Sequence, residues 1–538
     1  MERKPEFKTV SLRTETAYKA DGPGKVAQDT KARGSGLEVN AEVAQLQFVF
    51  LSGEIPQAQA DREVSRGHST PQVRGRRPEP DRCHSTTDPQ ATAKTPNGRA
   101  AVLEASAGKH REAQVDLMEQ ILSRENMLKA WKRVKANKGA AGMDGMSVDA
   151  FPAFARHDWD RIRSALERGT YRPAAVLRVM IPKATGGLRP LGIPTVLDRV
   201  IQQAIAQVIG PLFDPHFSTH SYGFRPKRSS RNALEEMEQA HGDGLRFGVD
   251  CDLKSFFDTV NHGLLMNRLA RKVHDNRVLR LISRYLKAGV ILPECGREPT
   301  PCGVPQGGPL SPLLANVMLD DLDKELERRE LRFARYADDF LIFVRSRSAA
   351  QRVLRSVGQF IEGKLALTIN RTKSKAARLS ECTFLGFTMS RGKLKWTHAA
   401  VQRFKERVRD ITDRSNGKSM RQRIPVLRRY VTGWLNYFGH SRSYTELIEL
   451  AQWVRRRVRL CYWKQWKRPR TRRRHLLALG IAKDEVKLAS RSAKGYWRMA
   501  RNSIVQRALT KQWLWDQGVP NLRQQWVDLH YPVPGGVG

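Results

Sequence analysis

The chain is poor in cysteine. Its 538 residues include six, and none of them forms a Cys-x-x-Cys pair or a paired Cys and His spacing. Structural zinc sites need such pairs, and disulfide frameworks belong to short secreted chains. We therefore expect neither a zinc-bound domain nor a disulfide-stabilised fold.

Long hydrophobic runs are also missing. A helix needs ~20 consecutive apolar residues to cross a bilayer, and the longest early run, Leu46 to Leu51, is far shorter. The residues before it do not form a signal peptide. We therefore expect a cytosolic protein without a membrane partner.

Acidic residues are outnumbered by basic ones. Asp and Glu number 54 against 95 Lys and Arg, which gives a formal net charge of +41. An excess this large predicts a polyanionic partner, because each phosphate that a cation neutralises releases counterions. The charged faces of ordinary soluble proteins usually mix both signs. The charge therefore favours nucleic acid binding.

Composition divides the chain into an N-terminal extension and an ordered part. Residues 1–110 are rich in Gly, Pro, Ser, Thr, Gln and charge, without helical or strand periodicity. Such a segment cannot bury enough apolar surface to offset its loss of conformational entropy. We predict a disordered extension, with an over-long translation start as the alternative. From Asp116 the apolar spacing becomes helical, and helices and strands alternate over 111–390, as in an α+β domain.

The C-terminal third is basic and aromatic. Residues 391–480 contain 25 Lys and Arg against 5 Asp and Glu. We predict a helical RNA-binding domain here and a basic RNA- or DNA-binding tail over 481–538. Trp434, Tyr437 and Phe438 follow helical spacing, so helix core is favoured for them over base stacking. The cations predicted to contact phosphate are Arg455, Arg456, Arg457, Lys467, Arg468, Arg472, Arg473 and Arg474.

Two clusters of aspartate indicate a reaction centre. Tyr336-Ala337-Asp338-Asp339 lies between two apolar runs, which predicts a strand, a tight turn and a buried strand with both aspartates at the tip. Upstream, Asp250 and Asp252 would point to one face of a strand. Asp252 is nearer the end of that strand and is our candidate, whereas Asp258 is interpreted as a helix cap.

Aspartates that converge in this way suit magnesium. Two Mg²⁺ ions roughly 3.5–4 Å apart can align a primer 3′-hydroxyl and an incoming triphosphate. Mg²⁺ is held by a few carboxylates plus substrate phosphates, so two or three aspartates suffice. The pattern predicts a two-magnesium site for nucleotide polymerisation, with Asp252, Asp338 and Asp339 as its catalytic residues.

A glycine-rich segment lies between the two clusters. Pro305-Gln306-Gly307-Gly308 precedes a predicted helix with Ser311 as its N-cap and Pro312 in the first turn. Glycines let a backbone approach a bulky ligand closely. Gln306 offers both a donor and an acceptor, and we predict that it contacts nucleotide or template.

Taken in order, these motifs resemble those of reverse transcriptases encoded by bacterial group II introns, of the type that lacks an endonuclease. The resemblance covers roughly residues 115–520 and includes, besides the segments above, Met180–Lys183, Leu188–Pro194, Ser221–Pro226, Leu367–Lys375 and Phe384–Phe387. It implies a right-hand polymerase, with fingers and palm over 111–390. An α-helical thumb, or maturase, domain would follow over 391–480.

The resemblance also implies roles for single residues. Asp252, Asp338 and Asp339 would bind the two Mg²⁺ ions, together with the Leu253 carbonyl. Phe257 matches the bulky residue that excludes a ribose 2′-hydroxyl. Contacts with the triphosphate or the template are expected from Lys183, Arg189, Arg225, Gln306 and Lys373.

Partners follow from the maturase-like segments Gly433–Phe438 and Arg457–Pro469. They imply binding of the intron RNA, followed by its copying into DNA from a DNA primer with dNTPs. No Cys-paired, His-containing endonuclease segment follows Trp526, so we expect no DNA nicking and a pre-existing primer. Two alternatives stay open: a splicing cofactor whose polymerase is unused, and a phage-defence or CRISPR-linked reverse transcriptase. Monomer and dimer on RNA also stay open.

Overall fold

The computed structural model describes residues 116–182, 187–292 and 296–532. The extension predicted over 1–110 and the predicted triphosphate contact Lys183 lie outside the described residues. The first helix of the described residues is α1, Leu117–Leu122, and the Asp116 carboxylate caps it by accepting a hydrogen bond from the Glu119 amide.

The elements up to residue 378 mix helices and strands, which confirms the α+β prediction. They are α2 Arg124–Ala136, α3 Phe151–Glu167, β1 Val176–Pro182, β2 Leu188–Ile193, α4 Val196–Phe213, α5 Ser230–Gly242, β3 Phe247–Cys251, α6 Phe256–Thr259, α7 His262–Ala270, α8 Asn276–Leu286, β4 Val290–Leu292, β5 Gly296–Glu298, α9 Ser311–Arg328, β6 Arg332–Tyr336, β7 Asp339–Val344, α10 Arg347–Lys364 and β8 Lys375–Arg378. A short 3-10 helix, Asp214–His216, follows α4.

These strands form two sheets. The fingers sheet has the order β2-β1-β4-β5, with an antiparallel β1–β2 hairpin and β4 parallel to β1. The palm sheet has the order β6-β7-β3-β8 and is antiparallel throughout. Its register sets Cys251 opposite Phe340 and Tyr336 opposite Asp339. The strand ends that carry the predicted aspartates therefore meet at one end of the palm sheet.

The palm sheet is buried on both faces, and β7 shows why. Successive residues of a strand point to opposite faces. Phe340 and Ile342 lie in a first hydrophobic core with α4 and α7–α10, whereas Leu341 and Phe343 lie in a second core. The second core extends from the palm sheet to Trp526. The C-terminal helices therefore pack directly on the back of the palm sheet.

Beyond the palm sheet the chain is mainly helical, as predicted. A hairpin of β9 Phe387–Ser390 and β10 Lys393–Trp396 leads into α11 His398–Ile411, α12 Met420–Phe438, α13 Tyr444–Gln465, α14 Pro469–Ala478, α15 Lys483–Ser490, α16 Tyr496–Met499, α17 Ser503–Ala508, α18 Lys511–Asp516 and α19 Leu522–His530. The segment predicted as a basic RNA- or DNA-binding tail over 481–538 is folded in its described part, where Val486, Val505, Leu514 and Trp526 are buried in the second core. Its binding of RNA or DNA stays a prediction. We call α11–α19 the helical domain.

Membrane insertion was not expected from the sequence. Among the residues that the structure describes, no helix combines the length and the apolar character that crossing a bilayer requires.

Candidate active site

The Tyr336–Asp339 turn is a two-residue hairpin loop. β6 ends at Tyr336 and β7 begins at Asp339, with Ala337 and Asp338 between them. Ala337 has a φ of 60°, in the left-handed region that residues with a side chain rarely occupy. The predicted strand, tight turn and buried strand are confirmed.

Arg335 supports this turn from inside the protein. Its fully buried guanidinium donates to the Ala337 carbonyl at 3.0 Å and pairs with the equally buried Asp323, with 2.7 Å between Nε and Oδ1. It also donates to the Asn316 side chain at 2.9 Å. A Cβ on Gly223 would lie 2.3 Å from the Ala337 nitrogen, so that glycine is needed for close packing. A left-handed alanine persists only where its surroundings hold it. The sequence pattern predicts Arg335 only as a strand residue. It gives no sign that the Arg335 side chain supports the turn.

Asp252 follows directly after β3 and is anchored by the segment before β8. Its amide donates to the Ser374 hydroxyl at 3.0 Å, and the Asn370 side-chain amide donates to Asp252 Oδ2 at 2.8 Å. The Lys373 ammonium lies 3.7 Å from the same oxygen. The structure thus brings Lys373, predicted as a nucleotide contact, to a predicted metal ligand. Leu253 forms a bridge with Ile369.

Negative charge accumulates at this end of the palm sheet. Burial, together with the nearby Asp250 and Asp338 carboxylates, raises the pKa of Asp339 to about 8. Burial also raises the pKa of Asp338; the Arg189 guanidinium opposes this rise and the Asp252 carboxylate adds to it. Such effects weaken with distance. Together with the register of the palm sheet, this places Asp252, Asp338 and Asp339 near one another at one end of the sheet.

This donor set suits a divalent cation. Mg²⁺ prefers carboxylate oxygens and binds through one or two of them plus waters and substrate phosphates. Within residues 116–182, 187–292 and 296–532, no three His, Cys, Asp or Glu side chains surround a metal position by themselves. Substrate oxygens would complete such a site. A bound cation would also counter the burial and the repulsion that raise the pKa of Asp339.

The raised pKa of Asp339 gives a pH-dependent prediction. A carboxyl whose pKa is higher in the folded than in the unfolded state lowers stability as pH rises between the two values, here from 3.8 to about 8. We expect Asp339→Asn to raise the Tm of the metal-free protein at pH 8, by about 2–4 °C per kcal/mol recovered, and to change it little at pH 4. Thermal unfolding in EDTA measures both. An equal shift at both pH values would contradict this origin of the pKa.

The glycine-rich segment packs against the fingers hairpin. The Gly192 amide of β2 donates to the Gln306 carbonyl at 2.6 Å, and a Cβ on Gly307 would lie 2.3 Å from the Gly192 oxygen. The glycines thus allow close approach of the protein's own strand. Gln306 Oε1 is buried and finds no hydrogen-bond partner among the described residues. Arg189 lies on the same hairpin, opposite Ile181.

The residues around the glycine-rich segment include Ser311, Asp258 and Phe257, each of which had a predicted role. Ser311 is the first residue of α9 rather than its N-cap, and its hydroxyl donates to the Pro305 carbonyl at 2.6 Å. Asp258 lies inside α6, and the following helix is capped by Asn261 instead. Phe257 is only 5% exposed and belongs to the first core, beside the glycine-rich segment through the hydrogen bond from the Val304 amide to its carbonyl.

Arg225 does not face the reaction centre. Its guanidinium donates to the Asp214 carboxylate at 2.7 Å and to the Ser218 and Ser221 carbonyls at 2.5 and 3.0 Å. The ring of Phe217 lies 5.4 Å from the guanidinium carbon. The donors of Arg225 hold the loop before α5, so the structure does not support its predicted contact with the triphosphate or the template, which stays a prediction.

Several predicted phosphate contacts are also used inside the helical domain. Arg457 donates to the Thr412 hydroxyl and carbonyl at 2.9 and 3.1 Å. Arg456 stacks 3.7 Å from the Trp497 ring centre and donates to the Trp497 carbonyl. Arg472 donates to the Trp466 carbonyl at 3.0 Å. These arginines thus use some of their donors inside the helical domain, and their contact with phosphate stays a prediction.

The remaining predicted cations differ in exposure. Arg455 is half-buried, and burial lowers its pKa. The four exposed ones lie in or just before α14 and are Lys467, Arg468, Arg473 and Arg474. We call these four residues the α14 cation cluster. It is the part of the predicted RNA-binding set that the fold leaves facing solvent.

The aromatic residues of α12 belong to the hydrophobic core, as their helical spacing predicted. Trp434 is buried and packs against Trp396 with ring centres 5.1 Å apart. Tyr437 and Phe438 are half-buried and reach the Leu385–Gly386 turn beside the aspartates. The helical spacing identified these residues as core but did not show that the end of α12 approaches the reaction centre.

Comparison with known proteins agrees with this architecture. The family model "Reverse transcriptase (RNA-dependent DNA polymerase)" matches residues 181–389, and "Group II intron, maturase-specific domain" matches residues 401–480. Protein YkfC of Escherichia coli (strain K12) is 32% identical over 326 residues, which cover 53% of this chain and 85% of that protein. Group II intron-encoded protein LtrA of Lactococcus lactis subsp. cremoris is 38% identical over 207 residues, which cover 38% of this chain and 34% of that protein.

The fold and the site thus define a right-hand polymerase of the reverse transcriptase class. The chain belongs to the family of group II intron-encoded reverse transcriptases with a maturase domain, which confirms the family that the motifs resemble. The absence of an endonuclease stays a prediction. The alignment spans most of YkfC but about a third of the length of LtrA. A solved Cas6-RT-Cas1–Cas2 complex aligns over 47% of this chain and 43% of that chain at 24% identity, but its TM-score of 0.30 is too low to bear on function.

Proposed function

We propose that this protein is a group II intron-encoded RNA-directed DNA polymerase and maturase, which binds its intron RNA, assists splicing and copies the RNA into DNA. The observation that carries the polymerase activity is the meeting of Asp252, Asp338 and Asp339 at one end of the palm sheet. The match to the maturase-specific domain supports the splicing role. Residues 111–390 would form fingers and palm, and 391–480 the thumb and maturase domain.

In this proposal Asp252, Asp338 and Asp339 hold two Mg²⁺ ions, with the Leu253 carbonyl as a further ligand. Two such ions, when bound, stabilise the attacking and leaving oxygens of an in-line displacement, here at the α-phosphate of a dNTP. Asn370 orients the Asp252 carboxylate through its hydrogen bond at 2.8 Å.

Substrate contacts come from the fingers sheet and the segments around the aspartates. The cations Lys183, Arg189 and Lys373 would neutralise triphosphate or template charge. The buried, unpartnered Gln306 Oε1 supports a role in accepting a hydrogen bond from nucleotide or template. The α14 cation cluster would contact intron RNA. We expect the protein to act in the cytoplasm, with intron RNA and a DNA primer as its partners.

Phe257 would select deoxynucleotides by occupying the space of a ribose 2′-hydroxyl. We expect Phe257→Val to admit ribonucleotides at least about tenfold more readily, which corresponds to about 1.4 kcal/mol of discrimination. Valine keeps an apolar side chain in the first core. The ratio of kcat/KM for dNTP and NTP with one template measures this selectivity, and an unaltered ratio would contradict the role.

Primer extension tests the proposed function directly. Purified full-length protein with Mg²⁺, dNTPs, an RNA template and an annealed DNA primer should produce cDNA. Splicing of the co-purified intron RNA is measured in parallel. Splicing without cDNA would favour the splicing cofactor, and recovery of no intron RNA with the protein would favour a reverse transcriptase with another role.

A further inference from the structure

The last turn of α12 lies against the turn that joins Phe384 to Phe387. These two residues exchange backbone hydrogen bonds of 2.9 Å in each direction, with Leu385 and Gly386 as the two-residue loop between them. Leu385 has a φ of 52° and Gly386 a φ of 82°. Such turns need positive φ at both central residues and favour Asn, Asp or Gly there. Leucine at the first central position is therefore strained.

Tyr437 supports the strained residue from the helical domain. Its hydroxyl donates to the Leu385 carbonyl at 3.1 Å. The neighbouring Phe438 packs on the other half of the turn, since a Cβ on Gly386 would lie 3.0 Å from the Phe438 ring. Residues held in left-handed conformations persist only where surrounding contacts determine them. The end of α12 supplies these contacts.

The same leucine touches the reaction centre through its other backbone group. The Leu385 backbone lies close enough to Asp339 to oppose the rise in the pKa of that carboxyl by hydrogen bonding. The charged and ionisable groups that face the Tyr437 phenol are Tyr336, Asp339 and Arg403, so the phenol lies beside the catalytic turn. One residue therefore connects a hydroxyl of the helical domain to a carboxylate of the palm sheet, and its φ and ψ decide where both of its backbone groups point.

We propose that Tyr437 is a positioning residue for polymerisation: by holding the Leu385 carbonyl it aims the Leu385 amide at Asp339, and so couples docking of the helical domain to the geometry of the metal-binding carboxylates. This inference rests on the proposed polymerase function and adds a determinant to it. Tyr437 lies within the residues that match the maturase-specific domain. A segment matched for intron RNA would thus also tune DNA synthesis.

Tyr437→Phe tests the role, because it removes one hydroxyl and keeps the ring. A neutral hydrogen bond contributes about 1 kcal/mol, so we expect kcat for dNTP addition to fall about fivefold and the Mg²⁺ concentration for half-maximal rate to rise severalfold. The Kd for intron RNA should stay unchanged, and the Tm should fall by no more than about 2–4 °C. The matched control is Tyr430→Phe on the same helix, whose phenol faces Arg403 and Arg407, and it should behave as wild type.

A second substitution provides a rescue. Asparagine adopts left-handed φ far more readily than leucine, so Leu385→Asn combined with Tyr437→Phe should recover most of the lost rate. An unchanged kcat and Mg²⁺ requirement in Tyr437→Phe would overturn the proposal, as would a rate loss accompanied by a lower Tm without any change in Mg²⁺ requirement. cDNA synthesis by the wild type in the same assay tests the proposed function, and the ratio of variant to wild type tests Tyr437, so the two failures are distinguishable.

Discussion

Asp338→Ala is expected to lower the rate of cDNA synthesis by about 1,000-fold or more. Loss of a metal ligand removes several kcal/mol of transition-state stabilisation, and each 1.36 kcal/mol corresponds to a factor of ten. Affinity for intron RNA should change less than about twofold, because the substitution removes no cation that meets phosphate. Single-nucleotide addition and filter binding measure the two quantities on the same preparation.

The matched control is Asp258→Ala. This aspartate is exposed on α6, outside the palm sheet. Its substitution by alanine removes the same formal charge as Asp338→Ala and leaves the carboxylates of the palm sheet in place. Its cDNA synthesis should remain close to wild type. Substantial synthesis by Asp338→Ala would overturn the assignment of the metal site, and an equal loss in both variants would point to net charge instead.

We expect substitution of all four residues of the α14 cation cluster by glutamine to weaken intron RNA binding by about 100-fold at physiological salt. The slope of log K against log salt concentration should become less steep by about three. Both values follow from four phosphate contacts that each release close to one counterion. All four members of the cluster are exposed. Equilibrium binding of the intron RNA at several salt concentrations measures the slope.

A control with the same loss of charge comes from the palm. Arg345, Arg347, Arg352 and Arg355 are exposed at the start of α10 and along it. Their substitution by glutamine removes four charges away from the helical domain. A slope that changes equally in both variants would show that overall charge, rather than the α14 cation cluster, governs binding.

Substitution of the arginines that form hydrogen bonds within the helical domain should have a different effect from substitution of the exposed ones. Arg457 and Arg456 satisfy backbone carbonyls and stack on a ring inside the helical domain. Removing a partner from a buried carbonyl costs about 1–3 kcal/mol. Their loss would therefore lower stability, and weakened RNA binding in such variants would not by itself identify a phosphate contact.

Local structure around the reaction centre could be predicted because it depends on neighbouring residues. The apolar run after Asp339 is long enough to predict a strand buried on both faces, and β7 indeed contributes alternate residues to two cores. Two aspartates between apolar runs predict the hairpin tip. The resemblance that the ordered motifs carry then implied that the two aspartate clusters bind the same metal ions.

The support of that centre could not be predicted in the same way. Arg335 bonds to Ser221, 114 residues away in the chain, and Arg457 bonds to Thr412, 45 residues away. Tyr437 reaches Leu385 across 52 residues. No local pattern distinguishes such an arginine from one that faces solvent, because both occupy the same kind of sequence position.

The sequence by itself determined the class of protein, the three aspartates and the basic character of the helical domain, since these follow from residue type, spacing and charge. Only the tertiary structure decided which cations remain exposed, which carboxyls crowd one another and which distant side chains hold the catalytic turn. The physical reason is that a hydrogen-bonding group binds the nearest suitable partner in space, and folding alone determines which partner that is.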